Sequence, residues 1–177
     1  MQLVWRVGLL VKLLHGNNKM RKLFFDIDGV LLNYSDEPKP ALLNDRLQVA
    51  LKRCSFDQLV CVSGHTWPIL HPPFPWQPGS KTQQAASLLR IVEPLFSDHL
   101  WFTERLVLAD DTDARATVID VEEDFYYIDD RADEFFCKAH GEELYQAFLN
   151  SRILLVDPYA DGEDIIAFLS QIPERTS

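Results

Sequence analysis

The stretch Lys22-Leu-Phe-Phe-Asp26-Ile-Asp28-Gly29-Val30-Leu31 is a short apolar run that ends in two carboxylates and a glycine. The run has the length and composition of a buried β-strand. Because residues i and i+2 of an extended chain share a face, Asp26 and Asp28 are predicted to point into one site. Gly29 allows a sharp turn there, and a divalent cation would offset the repulsion between the carboxylates. The alternative is an ordinary strand whose aspartates only form the following turn.

Four further apolar runs have the character of buried strands, at residues 59–62, 106–109, 125–128 and 153–156. Helical patterns separate them at residues 41–53, 81–93, 134–150 and 165–172, with a short helix capped by Asp113 and running through Arg115. Alternating strands and helices predict an α/β fold of three layers. We expect a Rossmann-like sheet of about five parallel strands with helices on both faces.

The chain is long enough for one domain with a proper core, since it has 177 residues of which 47% are hydrophobic. The compact domain is predicted to span residues 20–177. Residues 1–19 are apolar and basic, but the run is too short and interrupted to cross a bilayer. They are either a basic amphipathic helix that lies on a surface or an extension that contributes little to the fold, and we favour the extension.

The net charge of −10 disfavours broad binding to nucleic acid or to an anionic membrane. A small phosphorylated substrate remains compatible with this charge, because one nearby cation and a metal ion can outweigh the negative electrostatic potential of the whole protein at a single site. The three cysteines form no C-x-x-C pair, which indicates reduced thiols in an intracellular protein. We therefore expect a cytoplasmic protein without stable membrane insertion.

Polar groups follow three of the predicted strands at their carboxyl ends. The first strand ends in Asp26 and Asp28, the second in Ser63-Gly64 and the fourth in Asp129-Asp130. Parallel strands bring their carboxyl ends to one edge of the sheet, so these groups are expected to converge. Together they suit phosphoryl transfer through a covalent aspartyl intermediate. A rival acidic pair, 110–111, follows the third strand and is explained more simply as a turn and helix cap.

Three of these segments resemble motifs of the haloacid-dehalogenase-like (HAD) phosphohydrolase superfamily, over about residues 20–172. D-I-D-G-V-L is similar to the first motif, V-C-V-S-G to the second and Y-Y-I-D-D-R to the fourth. They occur in the family's order, each at the end of a predicted strand. The I-D-D-R segment and the short chain look most like the small nucleotidase-type branch.

The resemblance implies roles for the four acidic residues. Asp26 would be the nucleophile that attacks phosphorus, and Asp28 the general acid and base. Mg²⁺ would be held by Asp26, by the backbone carbonyl of Asp28 and by Asp129 or Asp130. The metal would also offset the repulsion between nucleophile and substrate.

The resemblance also implies groups that bind phosphate, and here the chain departs from the family pattern. The Ser63 hydroxyl and the Gly64 amide would contact phosphate oxygens. The family places a lysine before the acidic strand, but between Ser63 and Asp129 the only lysine in this chain is Lys81, at the predicted start of a helix. Arg115 is better placed, and arginine can bind phosphate through two hydrogen bonds. The alternative is that Lys81 and Arg115 are both solvated helix charges.

Many members of the superfamily carry a cap domain over the substrate. The spacings from Gly29 to Ser63 and from Gly64 to Leu106 leave no room for a full cap, and the Pro-rich segment 67–79 is the best local substitute. We expect a Mg²⁺-dependent phosphatase that acts on a small phosphomonoester, with a nucleoside monophosphate as the first guess. The alternative is a catalytically weak or inactive HAD-fold protein that binds a phosphorylated ligand or protein partner.

Overall fold

The computed structural model describes residues 19–32, 45–63, 97–109 and 115–175. These ranges contain a sheet of five strands, a short 3-10 helix at Arg115–Val118 and five α-helices. The strands are β1 (Arg21–Phe25), β2 (Gln58–Cys61), β3 (Leu106–Leu108), β4 (Asp124–Asp129) and β5 (Ile153–Leu155). The α-helices are α1 (Asp45–Cys54), α2 (His99–Arg105), α3 (Ala132–His140), α4 (Glu142–Phe148) and α5 (Glu163–Gln171).

The five strands form one parallel sheet in the order β3-β2-β1-β4-β5. β1 is the central strand, and its Phe25 pairs with Cys61 of β2 and with Ile128 of β4. The chain proceeds outward from β1 on one side and then returns to β4 on the other. In open α/β sheets, ligands bind where the strand order reverses in this way, which here is the carboxyl ends of β1 and β4.

Helices cover both faces of the sheet because alternate strand residues point to opposite sides. Leu23 and Phe25 pack on one face with residues of α1, α2 and α5. Phe24 and Tyr127 pack on the other face with residues of the 3-10 helix, α3 and α4. The three-layer α/β arrangement with five parallel strands is therefore confirmed.

Helix α1 shows how the sequence places a helix on the sheet. Its buried residues Leu47, Ala50, Leu51 and Cys54 recur at the spacing of one helical face, while Val49 is exposed. Burying a leucine fully contributes about 1.5–3 kcal/mol, so this stripe holds the helix against the core. The helix predicted at 41–53 is confirmed for its described part, and residues 41–44 lie outside the described ranges.

Two helices differ from the sequence prediction. The single helix predicted at 134–150 is α3 followed by α4, because Gly141 between them has φ +93°, a conformation that favours glycine. Helix α2 was not predicted, and its amino end is capped by Asp98, which accepts a 3.2 Å hydrogen bond from the Trp101 amide. The last helix, predicted at 165–172, forms as α5.

Several predictions concern residues that the structure does not describe. They are the extension as far as residue 18, the Pro-rich segment 67–79, the helix at 81–93 and the acidic pair 110–111. The absence of a full cap also stays a prediction, because it concerns segments that are mostly outside the described ranges. None of the helices in the described part of the chain is long and apolar enough to cross a membrane.

Candidate active site

The carboxyl ends of β1 and β4 bring three carboxylates together. The Asp26 amide donates a 3.1 Å hydrogen bond to the Ile128 carbonyl, so Asp26 and Asp129 begin from adjacent points of the sheet. Oxygen atoms of Asp26, Asp129 and Asp130 lie within 4.8 Å of one another. Asp26 and Asp129 are buried, with 1% and 0% exposure. The structure thus brings together Asp26, Asp129 and Asp130, which are three of the four acidic residues that the sequence predicted at these two strand ends.

Arg115 joins two of these carboxylates. Its Nη1 donates one hydrogen bond to Oδ2 of Asp26 and another, of 3.1 Å, to Oδ2 of Asp129. Two buried carboxylates without a cation would be costly, so the guanidinium stabilises the cluster. Arg115 is thus brought to the acidic residues as the sequence predicted, whereas Lys81 lies outside the described residues.

Asp26 has further contacts that fix its orientation. Its Oδ1 accepts a 2.7 Å hydrogen bond from the Ile27 amide, and the buried Ser63 hydroxyl also hydrogen-bonds its side chain. Burial raises the pKa of Asp26, and the charge of Asp28 raises it further, while Arg115 and both hydrogen bonds oppose the increase. Ser63 is therefore beside the predicted nucleophile, and its neighbour Gly64 is outside the described residues.

Asp129 is held by three donors. Besides Arg115, the Tyr127 hydroxyl donates to Oδ2 at 2.8 Å and the Arg131 amide donates to Oδ1 at 2.8 Å. Burial, followed by the charge of Asp26, raises the pKa of Asp129 to about 6. Tyr127 was not predicted as a site residue, although its position two residues before Asp129 on a strand places both on one face.

Asp130 contributes an oxygen that fits a metal ion. Its Oδ1 is buried and has no hydrogen-bond partner among the described residues. Such an atom needs an explanation, and a cation is one. The three carboxylates supply only oxygen donors, which is the chemistry that Mg²⁺ prefers. The residues present therefore fit a Mg²⁺ ion.

Gly29 allows the chain to pass close to Asp130. Its φ is +74°, and a Cβ atom placed on it would lie 2.9 Å from Cβ, Cγ and Oδ2 of Asp130. Asp28, the residue before it, is half-buried, and the turn closes through a 2.6 Å hydrogen bond from the Gly29 amide to the Leu32 carbonyl. The Asp28 carboxylate is not a member of the three-carboxylate group, although its charge acts on Asp26.

Comparisons with models of protein families, with curated protein sequences and with solved structures find no match to this chain. Function is therefore inferred from the geometry of the site and from the motifs in the sequence.

Proposed function

We propose that this protein is a Mg²⁺-dependent phosphatase of the HAD type, which hydrolyses a phosphomonoester through an aspartyl-phosphate intermediate. One observation carries the proposal: the guanidinium of Arg115 contacts both Asp26 and Asp129, whose carboxylates lie within 4.8 Å of an oxygen of Asp130. A candidate nucleophile, a cation that can bind phosphate and oxygens that can bind a metal meet at one sheet edge. Metal-dependent phosphoryl transfer through an aspartyl-phosphate uses these three elements, because its catalysis is mainly positioning and charge stabilisation.

Asp26 is the nucleophile in this proposal. Its carboxylate attacks phosphorus and forms the acyl-phosphate while the alcohol leaves with a proton from Asp28. Asp28 then takes a proton from water as the water oxygen attacks phosphorus. Inorganic phosphate leaves and the Asp26 carboxylate is restored. In this proposal Ser63, which hydrogen-bonds Asp26, orients the nucleophile and turns its single O–H donor to a phosphate oxygen when the substrate binds.

Arg115 supplies the positive charge that the family usually draws from a lysine. Burial opposes its protonation, but the charges of Asp26 and Asp129 outweigh burial and raise the pKa of Arg115. The guanidinium therefore keeps its charge throughout the working pH range. A planar guanidinium can bind two phosphate oxygens at once, which makes arginine a suitable replacement.

The carboxylates of Asp26, Asp129 and Asp130 and the backbone carbonyl of Asp28 would hold Mg²⁺. When bound, the ion supplies positive charge that offsets the repulsion between the nucleophile and an anionic substrate. Charge supports this proposal, because the single guanidinium of Arg115 pairs with two carboxylates, those of Asp26 and Asp129. For the substrate we propose a small phosphomonoester, with nucleoside monophosphates as the first group to test.

We also propose a cytoplasmic location. All three cysteines lie in the described part of the chain, and each is a free thiol. Cys54 and Cys61 are buried in the core, as unpaired cysteines of intracellular proteins often are.

The test is phosphate release from p-nitrophenyl phosphate and from a panel of nucleoside monophosphates and sugar phosphates. The assay is run with Mg²⁺ and with EDTA, on wild type and on Asp26→Asn. We expect release that needs Mg²⁺ and falls roughly 10³-fold or more in the variant. Asp124→Asn is the matched control, because it removes an arginine-paired carboxylate (2.8 Å from Arg21) at the opposite end of β4 from Asp129. This control should keep its activity.

Unchanged turnover in Asp26→Asn would contradict the nucleophile assignment. If folded wild type releases no more phosphate than the variant, the protein is not a phosphatase on these substrates. Binding of inorganic phosphate by that inactive protein would then favour the alternative, a domain that binds a phosphorylated ligand without turnover.

A further inference from the structure

The guanidinium of Arg115 has a third contact besides its two carboxylates. It lies over the ring of Phe135 in α3, with 4.3 Å between its central carbon and the ring centre. Among the described residues, this is the shortest distance between a cation and an aromatic ring. The face of an aromatic ring attracts a cation, and the attraction grows where water is excluded. The Arg115 side chain is only 18% exposed, so this contact is largely removed from solvent.

The ring supplies a constraint that the carboxylates do not. Both hydrogen bonds from Arg115 to Asp26 and Asp129 come from the same atom, Nη1. They anchor the guanidinium at one nitrogen and restrain its plane only through the angles of these two bonds. Contact with the flat face of Phe135 restricts the plane further. Binding phosphate through two parallel N–H bonds requires a defined plane, so the ring contact bears directly on phosphate binding.

Helix α3 also holds the backbone that carries Arg115. Arg115 begins the 3-10 helix with φ +29°, a conformation that is strained for a residue with a side chain. His140, at the end of α3, forms a 2.8 Å hydrogen bond through Nε2 with the Ala116 carbonyl in that 3-10 helix. The His140 ring also packs on Phe136, with 4.6 Å between ring centres. One helix therefore supports both the backbone turn and the side chain of Arg115.

We propose that Phe135 is a positioning residue that fixes the plane of the Arg115 guanidinium for phosphate binding. The inference rests on the proposed role of Arg115 as the phosphate-binding cation. A second guanidinium, that of Arg131, lies over the same ring at 4.8 Å and pairs with Glu134. The Arg131 side chain is 53% exposed, so water screens that contact, and the effect of the ring falls mainly on Arg115.

The test compares Phe135→Leu, which removes the ring but keeps an apolar side chain, with Phe135→Tyr, which keeps the ring. The measured quantity is the affinity of the full chain for inorganic phosphate in Mg²⁺ buffer, by isothermal titration calorimetry. We expect Phe135→Leu to weaken binding about 2- to 30-fold and Phe135→Tyr to stay within about twofold of wild type. In an Arg115→Ala background, Phe135→Leu should cause no further loss.

Trp101→Leu is the matched control. Trp101 is also a helical aromatic residue with two cations over its ring, Arg105 at 4.7 Å and Lys52 at 5.5 Å, but it packs against the core on the opposite face of the sheet. Its replacement should leave phosphate affinity unchanged. The proposal is overturned if Phe135→Leu binds phosphate as tightly as wild type does, or if Phe135→Tyr loses as much phosphate affinity as Phe135→Leu. It is also overturned if Phe135→Leu still weakens phosphate binding in the Arg115→Ala background.

A second measurement separates this proposal from the proposed function. The Arg115 Nε–H signal is assigned in a nitrogen-15 NMR spectrum by its disappearance in Arg115→Lys. Its ring-current shift and its protection from solvent exchange should be lost in Phe135→Leu and retained in Phe135→Tyr. If wild type neither binds phosphate nor releases it from the substrate panel, the proposed function fails, while these signals still show whether Phe135 positions Arg115. An unchanged Arg115 signal in Phe135→Leu would overturn the positioning role even in an active phosphatase.

Discussion

The hydroxyl of Tyr127 donates a 2.8 Å hydrogen bond to Oδ2 of Asp129, two residues further along β4 on the same face. Tyr127 is fully buried, and burial, followed by the charge of Asp129, raises its pKa. The phenol therefore stays protonated at neutral pH and remains a hydrogen-bond donor to Asp129. A residue of the core thus supports the carboxylate of the site.

Replacing Tyr127 by phenylalanine removes this donor and keeps the ring. Because a buried hydrogen bond to a charged group contributes about 1.5–3 kcal/mol, we expect Tyr127→Phe to lower the free energy of unfolding by that amount at pH 7. Urea denaturation measures it. Tyr126→Phe is the control, since the neighbouring tyrosine packs in the core on the opposite face. Equal losses in the two variants would contradict the importance of the bond to Asp129.

The raised pKa of Asp129 gives the stability a pH dependence. With a pKa of about 6 in the folded protein against an ordinary 3.8, Asp129 keeps its proton in the folded state after the unfolded chain has lost it. Its contribution to stability is therefore present at low pH and is lost as the pH rises from about 4 to about 6, with a slope of at most about 1.4 kcal/mol per unit.

The measurement is chemical denaturation across that pH range in EDTA, on wild type and Asp129→Asn. We expect the unfolding free energy of wild type to fall relative to that of the variant as the pH rises. Asp98→Asn provides a control of opposite sign when the measurement is extended below pH 4. The hydrogen bond from Lys52 lowers the pKa of Asp98 from 3.8, so its stabilising contribution is lost as the pH falls below that value. If the free energy of unfolding of wild type stayed constant or rose relative to that of Asp129→Asn as the pH increased, the raised pKa of Asp129 would be contradicted.

Gly29 tests the close contact with Asp130. Because of its φ of +74° and the 2.9 Å approach to Asp130, we expect Gly29→Ala to destabilise the fold by about 1–3 kcal/mol and to displace Asp130. The proposed Mg²⁺-dependent turnover should fall with it. Gly141→Ala is the control, because Gly141 also has a positive φ of +93° but nothing lies within 4 Å of the added atom.

Both glycine variants are assayed below their unfolding temperatures, after denaturation curves have been recorded. Gly141→Ala should lose stability and keep its turnover. If Gly29→Ala kept full turnover, the activity would not depend on the position of Asp130.

The three thiols are expected to be unreactive in the folded protein. Burial raises the pKa of Cys61 to about 12, and burial with the nearby Glu142 raises that of Cys137 to about 11. Burial also raises the pKa of Cys54. At pH 8, labelling of Cys61 and Cys137 with a thiol reagent should be at least about 100-fold slower in the native protein than in urea, and labelling of Cys54 should also be slower, because the thiolate is the reactive form. A rapidly labelled native cysteine would contradict this and would call for a nucleophile other than Asp26 to be considered.

The strands were predictable because each is a compact apolar run that polar residues follow. The helices were less predictable. Phe136 in α3 and Tyr145 in α4 are both buried, although on one continuous helix they would lie on opposite sides. This change of phase near Gly141 was a signal of the break that the single-helix prediction overlooked. Helix α2 depends on tertiary packing, because its Phe102 lies edge-on against Phe25 of β1 at 6.0 Å. A strand residue so distant in sequence gives no local signal.

The position of the site followed from strand ends. Asp26, Ser63, Asp129 and Asp130 each end or follow a strand, and a parallel sheet brings such residues to one edge. Arg115 was predicted from its place between β3 and β4, and the structure brings it to Asp26 and Asp129. The catalytic, metal-binding and phosphate-binding roles of these residues remain predictions.

Two supporting residues were not predicted. Tyr127 and Phe135 resemble ordinary core aromatics in the sequence. For Tyr127 the alternation of the strand could have indicated its partner, since it shares a face with Asp129. Phe135 offers no such signal, because its contact with Arg115 depends on how α3 packs beside the 3-10 helix.

The sheet separates two hydrophobic cores, and the helical layers on its two faces differ in how freely their residues can be substituted without altering the candidate site. Tyr127 and the 3-10 helix that begins with Arg115 belong to one face, whereas α1, α2 and α5 cover the other. Substitutions in the second layer can raise or lower the abundance of the folded protein without touching the residues that would handle phosphate. That layer is therefore where a lineage could accumulate compensating mutations while the residues at the edge near Arg115 changed.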